Sequence, residues 1–390
     1  MKDIFLGFYY EGEKEAELLK NSTVGISTAA NQYQTGFLEG LGKETCIIST
    51  LSVGAFPKRN RKLFYKRENK RVAYGDVTYL PFINLHGIKD MMFSQGIYRE
   101  LAKIIRAQSH TTVYVYSLNV VFERVLKRLK RKFGDKFTYC LIIPDLPGAY
   151  GIVRKGIKGI KDRMDAKPKM QNASFADCYV FLTEAMRELF PPRPYVVIEG
   201  FLPTEQFDYS NTRIPKTILY TGTLNGKFGI QTLLDAFALI KDEQYRLWIC
   251  GAGGIEQKIV ETAQKDHRIE FKGFLPKKEI SKLQTQCDVL INPRPAEGVF
   301  TKYSFPSKTM EYLLSGSKVL MYRLPGIGDE YFHYVRELSS VDPKEMAEKI
   351  VEACSDASFY EMPWMEQVQW IQNQKNATRQ LEKLTRLLAE

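Results

Sequence analysis

The stretch of the sequence with the most evident chemistry is YSFPSKTMEYLLSGSKVLMY, residues 303–322. Ser307 and Lys308 follow a proline, where an amphipathic helix would begin, and Glu311 lies one turn inside that helix. The free amides of a helix start, a hydroxyl group and an ammonium group together suit a diphosphate. An acid one turn further along can accept hydrogen bonds from the two vicinal hydroxyls of a ribose. The structural alternative is a capping Ser307 and an ordinary first-turn acid at Glu311.

Two glycine-rich junctions precede this stretch. YTGTLNGKFGIQTLLDAF places Gly222, Thr223 and Lys227 between a strand pattern and a helix pattern. WICGAGGIEQKI places Gly251 and Gly253 at the next junction of the same kind. Glycines let the backbone approach a ligand closely, and amides at a helix start bind phosphate, to which a lysine adds positive charge. Turn chemistry alone would explain one such junction, but two adjacent junctions favour a phosphate site.

The elements that position these residues alternate between strand and helix patterns. In the first half, strands are predicted at residues 24–28, 45–50, 112–117, 137–145, 177–183 and 195–200. In the second half they are predicted at residues 216–222, 245–251, 268–274, 288–293 and 317–323. This alternation predicts an α/β protein with two doubly wound, mostly parallel sheets. Because such sheets bind ligands beyond the carboxyl ends of their strands, we expect the site in a cleft between the two domains.

The predicted organisation has four parts. Residues 1–200 form the first domain, and residues 201–215, which contain turn residues without periodicity, form a linker. Residues 216–362 form the second domain. Residues 363–390 begin with a proline suited to a first helical position and carry an apolar stripe. They predict one long C-terminal helix that packs back on the first domain.

Positive charge is concentrated in the first half of the chain. The net charge is +11, and residues 1–200 carry 32 Lys and Arg against 20 Asp and Glu. The excess lies in three clusters, residues 58–71, 124–136 and 153–169. Ordinary solvated loops and helix faces would explain any one cluster. Three clusters in one half favour an anionic partner, which is a nucleic acid, an anionic lipid headgroup or a phosphorylated substrate.

Other features restrict the class of protein. The composition, 44% hydrophobic and 26% charged, predicts a soluble globular protein, and no apolar run is long enough for a spanning helix. The first residues lack the pattern of a signal peptide. Six widely spaced cysteines without a Cys-x-x-Cys predict buried thiols in a reducing cytoplasm. Four scattered histidines and the absence of Asp-x-Asp and P-loop motifs predict that no metal and no cofactor is required.

The motifs of the second half resemble the donor domain of GT-B glycosyltransferases. YTGTLNGKFG, ICGAGG, IEFKGFLP, DVLINPRP and SFPSKTMEYLLSG follow one another in that family's order and spacing, most strongly over residues 216–325. The chain looks most like the retaining enzymes of family 4, and within them the bacterial enzymes that build exopolysaccharide, capsule and lipid-linked oligosaccharides. The resemblance implies two Rossmann-like domains facing across a cleft. The first would bind the acceptor and the second the nucleotide-sugar donor.

The resemblance also implies roles for individual residues. Glu311 matches the second glutamate of the family's Glu-x7-Glu motif, which holds the ribose, and Ser307 and Lys308 fall beside the donor diphosphate. Lys227 and Lys308 would act catalytically by stabilising the departing nucleoside diphosphate. The other substrate-binding candidates are Gly222 and Thr223 near the distal phosphate, Gly251 and Gly253 in the second glycine loop, Arg294 after a strand, and Gly273 and Phe274 around the nucleobase.

The chain departs from the family pattern at several positions, and three of them concern candidate site residues. Tyr303 stands where the first glutamate of Glu-x7-Glu should fall, and Glu297 in the preceding loop is the candidate replacement. Thr223 replaces the arginine that usually follows the first loop glycine. In the first domain, Pro144 stands where the family has a histidine before an acid, so only Asp145 is carried over. Asp145 is either a catalytic acid that orients donor or acceptor, or a turn residue.

Taken with the resemblance, the sequence predicts a cytoplasmic glycosyltransferase of bacterial surface polysaccharide synthesis. It would move a sugar from a nucleotide-diphosphate sugar to a saccharide or polyprenyl-diphosphate-linked acceptor, with retention and without a metal. The basic first half is expected to bind the anionic inner membrane surface peripherally, and not nucleic acid. Two alternatives stay open. One is a sugar-nucleotide epimerase of the same fold, and the other is a non-catalytic nucleotide-binding or assembly subunit, which the missing first glutamate favours.

Overall fold

The computed structural model of the chain describes residues 2–23, 26–146, 170, 173–203 and 206–389. The basic cluster predicted at residues 153–169 therefore lies outside the described residues. The chain forms two compact units, one of Met1–Phe201 with Ala377–Glu390 and the other of Leu202–Asn376. Each unit is built on a mostly parallel sheet, which confirms the predicted α/β class. Within the part of the chain that is described, no helix is long and apolar enough to cross a membrane.

The first unit has an eight-stranded sheet and a separate two-stranded one. Its strands are β1 (Ile4–Gly7), β2 (Thr45–Ser49), β3 (Phe64–Tyr65), β4 (Glu68–Val72), β5 (Gly75–Tyr79), β6 (Phe82–Ile83), β7 (Thr111–Tyr116), β8 (Phe137–Ile143), β9 (Cys178–Phe181) and β10 (Tyr195–Val197). Its first four helices are α1 (Glu13–Asn21), α2 (Thr28–Leu41), α3 (Ile88–Ala107) and α4 (Val120–Phe133). The large sheet has the order β10-β9-β8-β7-β1-β2-β5-β4, in which β4 is antiparallel to β5, while β3 and β6 form the small antiparallel pair.

The second unit has one six-stranded, fully parallel sheet. Its strands are β11 (Ile214–Thr221), β12 (Arg246–Cys250), β13 (Ile269–Gly273), β14 (Cys287–Asn292), β15 (Lys318–Tyr322) and β16 (Val335–Leu338). Its helices are α5 (Ile230–Leu239), α6 (Glu256–Lys265), α7 (Lys277–Gln286), α8 (Lys308–Leu314), α9 (Pro343–Ser355) and α10 (Pro363–Lys375). The order is β13-β12-β11-β14-β15-β16, so the winding direction reverses between β11 and β14. In such sheets this reversal opens the crevice where ligands bind.

Burial explains why the central strands were evident in the sequence. Every residue of β14 and of β15 is buried, as expected for strands covered by helices on both faces. Helix α9 begins with an N-cap residue followed by a proline, a helix start that can be recognised in the sequence. The side chain of Asp342 accepts a hydrogen bond from the amide of Lys344 at 3.0 Å, and Pro343 occupies the first helical position.

The prediction for the first strand was wrong. It placed a strand at residues 24–28, but Thr28 already begins α2, and residues 24 and 25 lie outside the described part. The strand that pairs with β2 and β7 is β1, Ile4–Gly7. Both segments are short apolar runs, and runs of that length do not carry enough periodicity to tell a strand from a loop.

The C-terminal segment forms two helices where one was predicted. The chain becomes extended at Asn376 (φ −69°, ψ 160°), which ends α10 before α11 (Ala377–Ala389) begins. Helix α10 belongs to the second unit, where Gln367 donates a hydrogen bond to the carbonyl oxygen of Leu313 at 2.8 Å. Only α11 belongs to the first unit, so the predicted packing on the first domain applies to α11 alone.

The segment predicted as a linker, residues 201–215, is largely built into the second unit. The hydroxyl of Tyr209 donates to the carbonyl oxygen of Leu314 at 2.8 Å. The guanidinium of Arg213 donates to the carbonyl oxygen of Gly316 at 2.7 Å and stacks on the ring of Tyr360 at 4.4 Å. These bonds anchor the chain before β11 begins.

Candidate functional site

A pocket of about 130 Å³ opens in the second unit at the point where the winding of the sheet reverses. Its walls come from the ends of β11 and β14, from the loops that follow them and from the start of α8. The lining residues are Tyr220, Thr221, Gly222, Thr223, Phe228, Asn292, Arg294, Pro306, Ser307, Lys308 and Tyr312. The structure therefore brings together five of the predicted site residues, namely Gly222, Thr223, Arg294, Ser307 and Lys308.

A buried tyrosine of α8 fixes the end of β11. The hydroxyl of Tyr312 accepts a hydrogen bond from the amide of Thr221 at 3.0 Å and donates to the carbonyl oxygen of Thr221 at 3.1 Å. Burial raises the pKa of Tyr312, so the phenol keeps its proton. Tyr220 donates to the carbonyl oxygen of Thr223 at 3.0 Å and holds the following loop. Together these bonds set the position of the Gly222–Thr223 backbone at the pocket wall.

The start of α8 provides a hydroxyl and an ammonium group. Ser307 is exposed, and its side chain makes no capping bond to the helix. The Nζ atom of Lys308 lies 2.5 Å from Oε2 of Glu311. Lys308 lines the pocket and Glu311 does not, so this ion pair joins a lining residue to one outside the lining. The other carboxylate oxygen of Glu311 has no hydrogen-bond partner among the described residues.

Arg294 is the second cation of the pocket. One of its terminal nitrogens donates to Oγ of Ser304 at 2.7 Å, and its guanidinium lies 4.7 Å from the ring centre of Phe300 and 5.7 Å from that of Phe228. Its Nε atom is buried without a hydrogen-bond partner, and no carboxylate of the described residues pairs with it. Desolvation lowers the pKa of Arg294. An unpaired, partly desolvated cation at a pocket wall suits an anionic ligand.

The second glycine loop packs against the first loop and does not line the pocket. Gly251 has φ +141°, and a Cβ atom placed there would lie 1.8 Å from the carbonyl oxygen of Gly222. A Cβ atom on Gly253 would lie 2.3 Å from the carbonyl oxygen of Leu224. The backbone amide of Leu224 donates to the carbonyl oxygen of Ala252 at 3.0 Å. These glycines thus allow two loop backbones to touch, and the substrate contact assigned to them stays a prediction.

Lys227 lies beside the pocket without lining it. It belongs to the 3-10 turn Gly226–Phe228, where Asn225 accepts a hydrogen bond from its amide at 3.0 Å. Its side chain is exposed, and none of the described carboxylates pairs with it. Its neighbour Phe228 does line the pocket.

The predicted nucleobase segment and the candidate replacement glutamate also lie outside the pocket lining. Gly273 ends β13 with φ +66°, and the side chain of Phe274 is 82% exposed. Glu297 is exposed in the loop after β14, whereas Tyr303, at the position of the missing glutamate, is buried. The donor contacts assigned to Gly273, Phe274 and Glu297 therefore stay predictions.

Asp145 belongs to the first unit. It follows β8 by two residues and is exposed, yet neighbouring atoms still desolvate its carboxyl group and raise its pKa. Its charge also adds to the burial that raises the pKa of Tyr116. The catalytic role of Asp145 stays a prediction. Among the described residues, no three His, Cys, Asp or Glu side chains are grouped as a metal ion would need.

Sequence reasoning missed six lining residues, Tyr220, Thr221, Phe228, Asn292, Pro306 and Tyr312. Asn292 was the most accessible of these to prediction, because it is the one polar side chain at the carboxyl end of an apolar strand. Tyr312 follows Glu311 directly, but nothing in its sequence context indicates that its hydroxyl returns to β11.

The sequence was compared with protein families and with curated proteins. Residues 215–356 match the family model described as glycosyl transferases group 1. No curated protein sequence matches the chain. The matched residues include β12–β16, all of β11 except Ile214, and every residue that lines the pocket.

Several solved structures share the fold over the full length of the chain. The sucrose-phosphate synthase of Thermosynechococcus elongatus superposes with a TM-score of 0.65 at 16% identity, covering 100% of this chain and 99% of that one. Anabaena Alr3699/HepE, in complex with UDP, gives 0.64 at 12% identity with 100% of both chains covered. The E. coli protein described as trehalose-6-phosphate, bound with UDP-2-fluoro glucose, gives 0.64 at 11% with 99% of both covered. The chain thus has the GT-B fold that its sequence predicts, and its residues 215–356 match a family model of glycosyl transferases.

Proposed function

We propose that the chain is a glycosyltransferase that holds the diphosphate of a UDP-sugar in the second-unit pocket. The observation that carries the proposal is Arg294, a half-buried guanidinium at the pocket wall with no carboxylate partner among the described residues. Lys308 adds a second positive charge, and Ser307 adds a free hydroxyl group. Two cations and a hydroxyl donor around one small pocket match the charge and the acceptors of a diphosphate.

The choice of UDP is supported by the structures that share the fold. Anabaena Alr3699/HepE is described in complex with UDP and with UDP-glucose, and the E. coli structure is bound with UDP-2-fluoro glucose. The present chain is 12% and 11% identical to these two proteins. The proposal therefore includes a direct comparison of nucleotides.

In the proposed reaction the acceptor hydroxyl oxygen forms a bond to the anomeric carbon while the bond between the sugar and the diphosphate breaks. UDP leaves with additional negative charge, and its leaving phosphate takes up the acceptor's proton. Arg294 and Lys308 would stabilise that charge within the pocket, where desolvation strengthens electrostatic interactions. Glu311 would keep the Lys308 ammonium at the pocket wall through their 2.5 Å hydrogen bond. Lys227 is exposed, and no carboxylate of the described residues pairs with it. It would add a third positive charge at the distal phosphate. Retention at the anomeric carbon and independence from metal are part of the proposal.

The proposed acceptor is a saccharide or a polyprenyl-diphosphate-linked sugar of bacterial surface polysaccharide synthesis. The first unit would bind it, with Asp145 orienting donor or acceptor, and the enzyme would work at the cytoplasmic face of an anionic membrane. The uneven charge supports this part, because 32 of the Lys and Arg residues lie in residues 1–200 against 20 Asp and Glu. The motif resemblance supports the polysaccharide role.

Arg294→Met tests the pocket directly. Wild type should be stabilised by UDP more than by GDP, dTDP or CDP. A ligand at 100 times its dissociation constant raises the free energy of unfolding by about 2.7 kcal/mol. The variant should lose most of that stabilisation. Without nucleotide it should unfold at the same temperature or higher, because the substitution removes a desolvated charge that no carboxylate compensates. The measurement is thermal unfolding with and without each nucleotide.

Arg246→Met provides the matched control. Arg246 is also half-buried, but it lies at the amino end of β12, away from the pocket, and bonds only to backbone carbonyl oxygens. It should keep the full response to UDP. The proposal fails if wild type responds to none of the nucleotides, or if Arg294→Met binds UDP as wild type does. Release of UDP from a UDP-sugar by wild type would exclude a non-catalytic subunit.

A further inference from the structure

A group of large apolar side chains is exposed on the first unit near the β3–β6 pair. Phe64, Leu85, Ile88 and Met91 are 61%, 38%, 40% and 55% exposed. We call these four residues the apolar patch. Single exposed apolar residues are common on protein surfaces, but a contiguous group indicates a surface that something covers.

Backbone pairing and chain connection place the four residues of the apolar patch on neighbouring elements. Phe64 of β3 pairs with Ile83 of β6, so their side chains lie on the same face of the small sheet. Leu85 follows Ile83 by two residues, and its amide donates to the carbonyl oxygen of Ile83 at 2.8 Å. Ile88 begins α3, and Met91 lies one turn further along the same helix face. The four residues therefore belong to the β3–β6 pair, the turn after β6 and the first turn of α3.

Unpaired basic side chains border the apolar patch. Lys58, Arg59, Arg61 and Lys66 flank Phe64 in the sequence and are all exposed. None of them forms an ion pair with a carboxylate of the described residues. Other cations of the cluster are paired. Lys62 pairs with Glu17 and Arg67 with Glu100. Lys70 pairs with Glu13 and Arg71 with Asp76. The uncompensated charge of the cluster is therefore carried by the four unpaired cations on either side of Phe64 in the sequence.

The loop that carries these cations is tied to the patch. The Nζ atom of Lys89 in α3 donates to the carbonyl oxygen of Val53 at 3.1 Å. The amide of Phe56 donates to the carbonyl oxygen of Asn84 at 3.3 Å. The side-chain amide of Asn84 donates to the carbonyl oxygen of Gly54 at 2.9 Å. The loop before Lys58 and the segment that carries Leu85 and Ile88 therefore form one surface. One acid, Asp90, is exposed on the α3 part of it.

We propose that the apolar patch and the four cations Lys58, Arg59, Arg61 and Lys66 form a docking surface for an anionic lipid bilayer. The inference rests on the proposed function, because a polyprenyl-linked acceptor lies in such a membrane. Cations meet the lipid headgroups while exposed apolar side chains enter the interface, and the two contributions add. A second copy of the chain is the other possible occupant. It would bring the same four cations against these four, and like charges in contact oppose association.

Sedimentation with vesicles tests the electrostatic half of this surface. The full-length protein is mixed with vesicles of phosphatidylcholine and phosphatidylglycerol in equal parts, or of phosphatidylcholine alone. Wild type should bind the anionic vesicles at low salt and leave them at high salt. The triple variant Lys58→Ala, Arg61→Ala, Lys66→Ala should bind on the order of 100-fold more weakly, at about fivefold for each lost cation.

A triple variant of the second unit provides the matched control. Lys241→Ala, Lys258→Ala, Lys265→Ala removes the same charge from three exposed lysines of the other unit. It should bind the vesicles nearly as wild type does. Equal loss in the two triple variants would show that net charge alone controls binding, and it would overturn the proposed surface.

Tryptophan fluorescence tests the contribution of the apolar patch to the docking surface. The emission that a Phe64→Trp variant adds to that of the three native tryptophans should shift to shorter wavelength with anionic vesicles and stay unchanged with neutral ones. It is obtained by subtracting the wild-type emission. The double variant Phe64→Ser, Met91→Ser should bind anionic vesicles several-fold more weakly, with the salt dependence preserved. Emission that does not shift would overturn the inference, as would self-association that these variants abolish.

The response to UDP separates this inference from the proposed function. All surface variants should keep the UDP-dependent rise in unfolding temperature, since none of their residues lines the pocket. Vesicle binding without a UDP response would contradict the donor site alone. A UDP response without vesicle binding would contradict the docking surface alone.

Discussion

At the scale of single residues, the pocket combines a charge that is left unpaired with a charge that is held in place. Arg294 has no carboxylate partner among the described residues, whereas Lys308 is bonded to Glu311. An unpaired, desolvated cation costs folding free energy, and such costs are commonly found at functional sites. Lys308 loses little side-chain freedom when a ligand binds, because its ammonium group is already positioned.

The role of Glu311 can be decided by varying the ligand. If its carboxylate binds the ribose, Glu311→Ala should weaken UDP binding by about tenfold or more, as expected for a lost charged hydrogen bond. The binding of 2′,3′-dideoxy-UDP should fall much less, since that ligand has no ribose hydroxyls to lose. Isothermal titration of both ligands with both proteins provides the measurement.

A second variant separates the ribose role from the positioning role. Lys308→Met should weaken both ligands by the same factor, because it removes a phosphate contact that they share. If Glu311→Ala likewise weakens both ligands equally, Glu311 acts only by holding Lys308, and the ribose assignment is wrong.

At the scale of elements, the site depends on how two loops touch. Gly251→Ala would place a Cβ atom 1.8 Å from the carbonyl oxygen of Gly222, at a φ of +141° that other residues rarely adopt. We expect a loss of stability on the order of 3 kcal/mol, because backbone and not a flexible side chain must move. The Gly222–Thr223 wall would shift with it, so UDP binding should also weaken. Urea unfolding and UDP titration measure the two effects.

Gly254→Ala is the control for this substitution. A Cβ atom at Gly254 has nothing within 4 Å, and its φ is outside the left-handed region. The variant should unfold within a few tenths of a kcal/mol of wild type and should bind UDP normally. A stable Gly251→Ala protein would show that the two loops are not packed as described.

Elements were predictable where their pattern was strong. The five strands predicted in the second half are all present, because fully buried parallel strands form long apolar runs. Strand β4, Glu68–Val72, was missed because its sequence ENKRV is largely charged. It is an edge strand, and charged side chains on an edge discourage pairing with other chains. Its identity as a strand comes from its pairing with β5, which the sequence does not display.

Some residues of the candidate site were predictable from the sequence and others were not. Ser307, Lys308 and Gly222 have the residue types and the junction positions that bind phosphate, and all three line the pocket. Gly251 carries a similar signal but packs on another loop. A glycine shows that something approaches its backbone, but the sequence does not show whether a ligand or another loop approaches. The contact of Tyr312 with Thr221, 91 residues away, has no local signal at all.

At the scale of the whole molecule, the chain crosses twice between its units. It enters the second unit at Leu202 and returns to the first after Asn376. Helix α11 then packs on α2, where a Cβ atom on Gly40 would lie 2.6 Å from the carbonyl oxygen of Ala377 and 2.6 Å from Cγ of Leu381. The last 13-residue helix thus completes the core of the first unit.

Leu381→Ala should therefore destabilise the first unit while leaving the second unit intact. Leu381 is 3% exposed, and the loss of a buried leucine side chain costs about 2–5 kcal/mol. Hydrogen exchange should show faster exchange of the α2 amides, with β11, β12 and the UDP response unchanged. Leu239→Ala at the end of α5, where the leucine is 48% exposed, should change neither. If the amides of β11 lose protection together with those of α2, the two units unfold cooperatively, and the return of the chain stabilises the whole molecule.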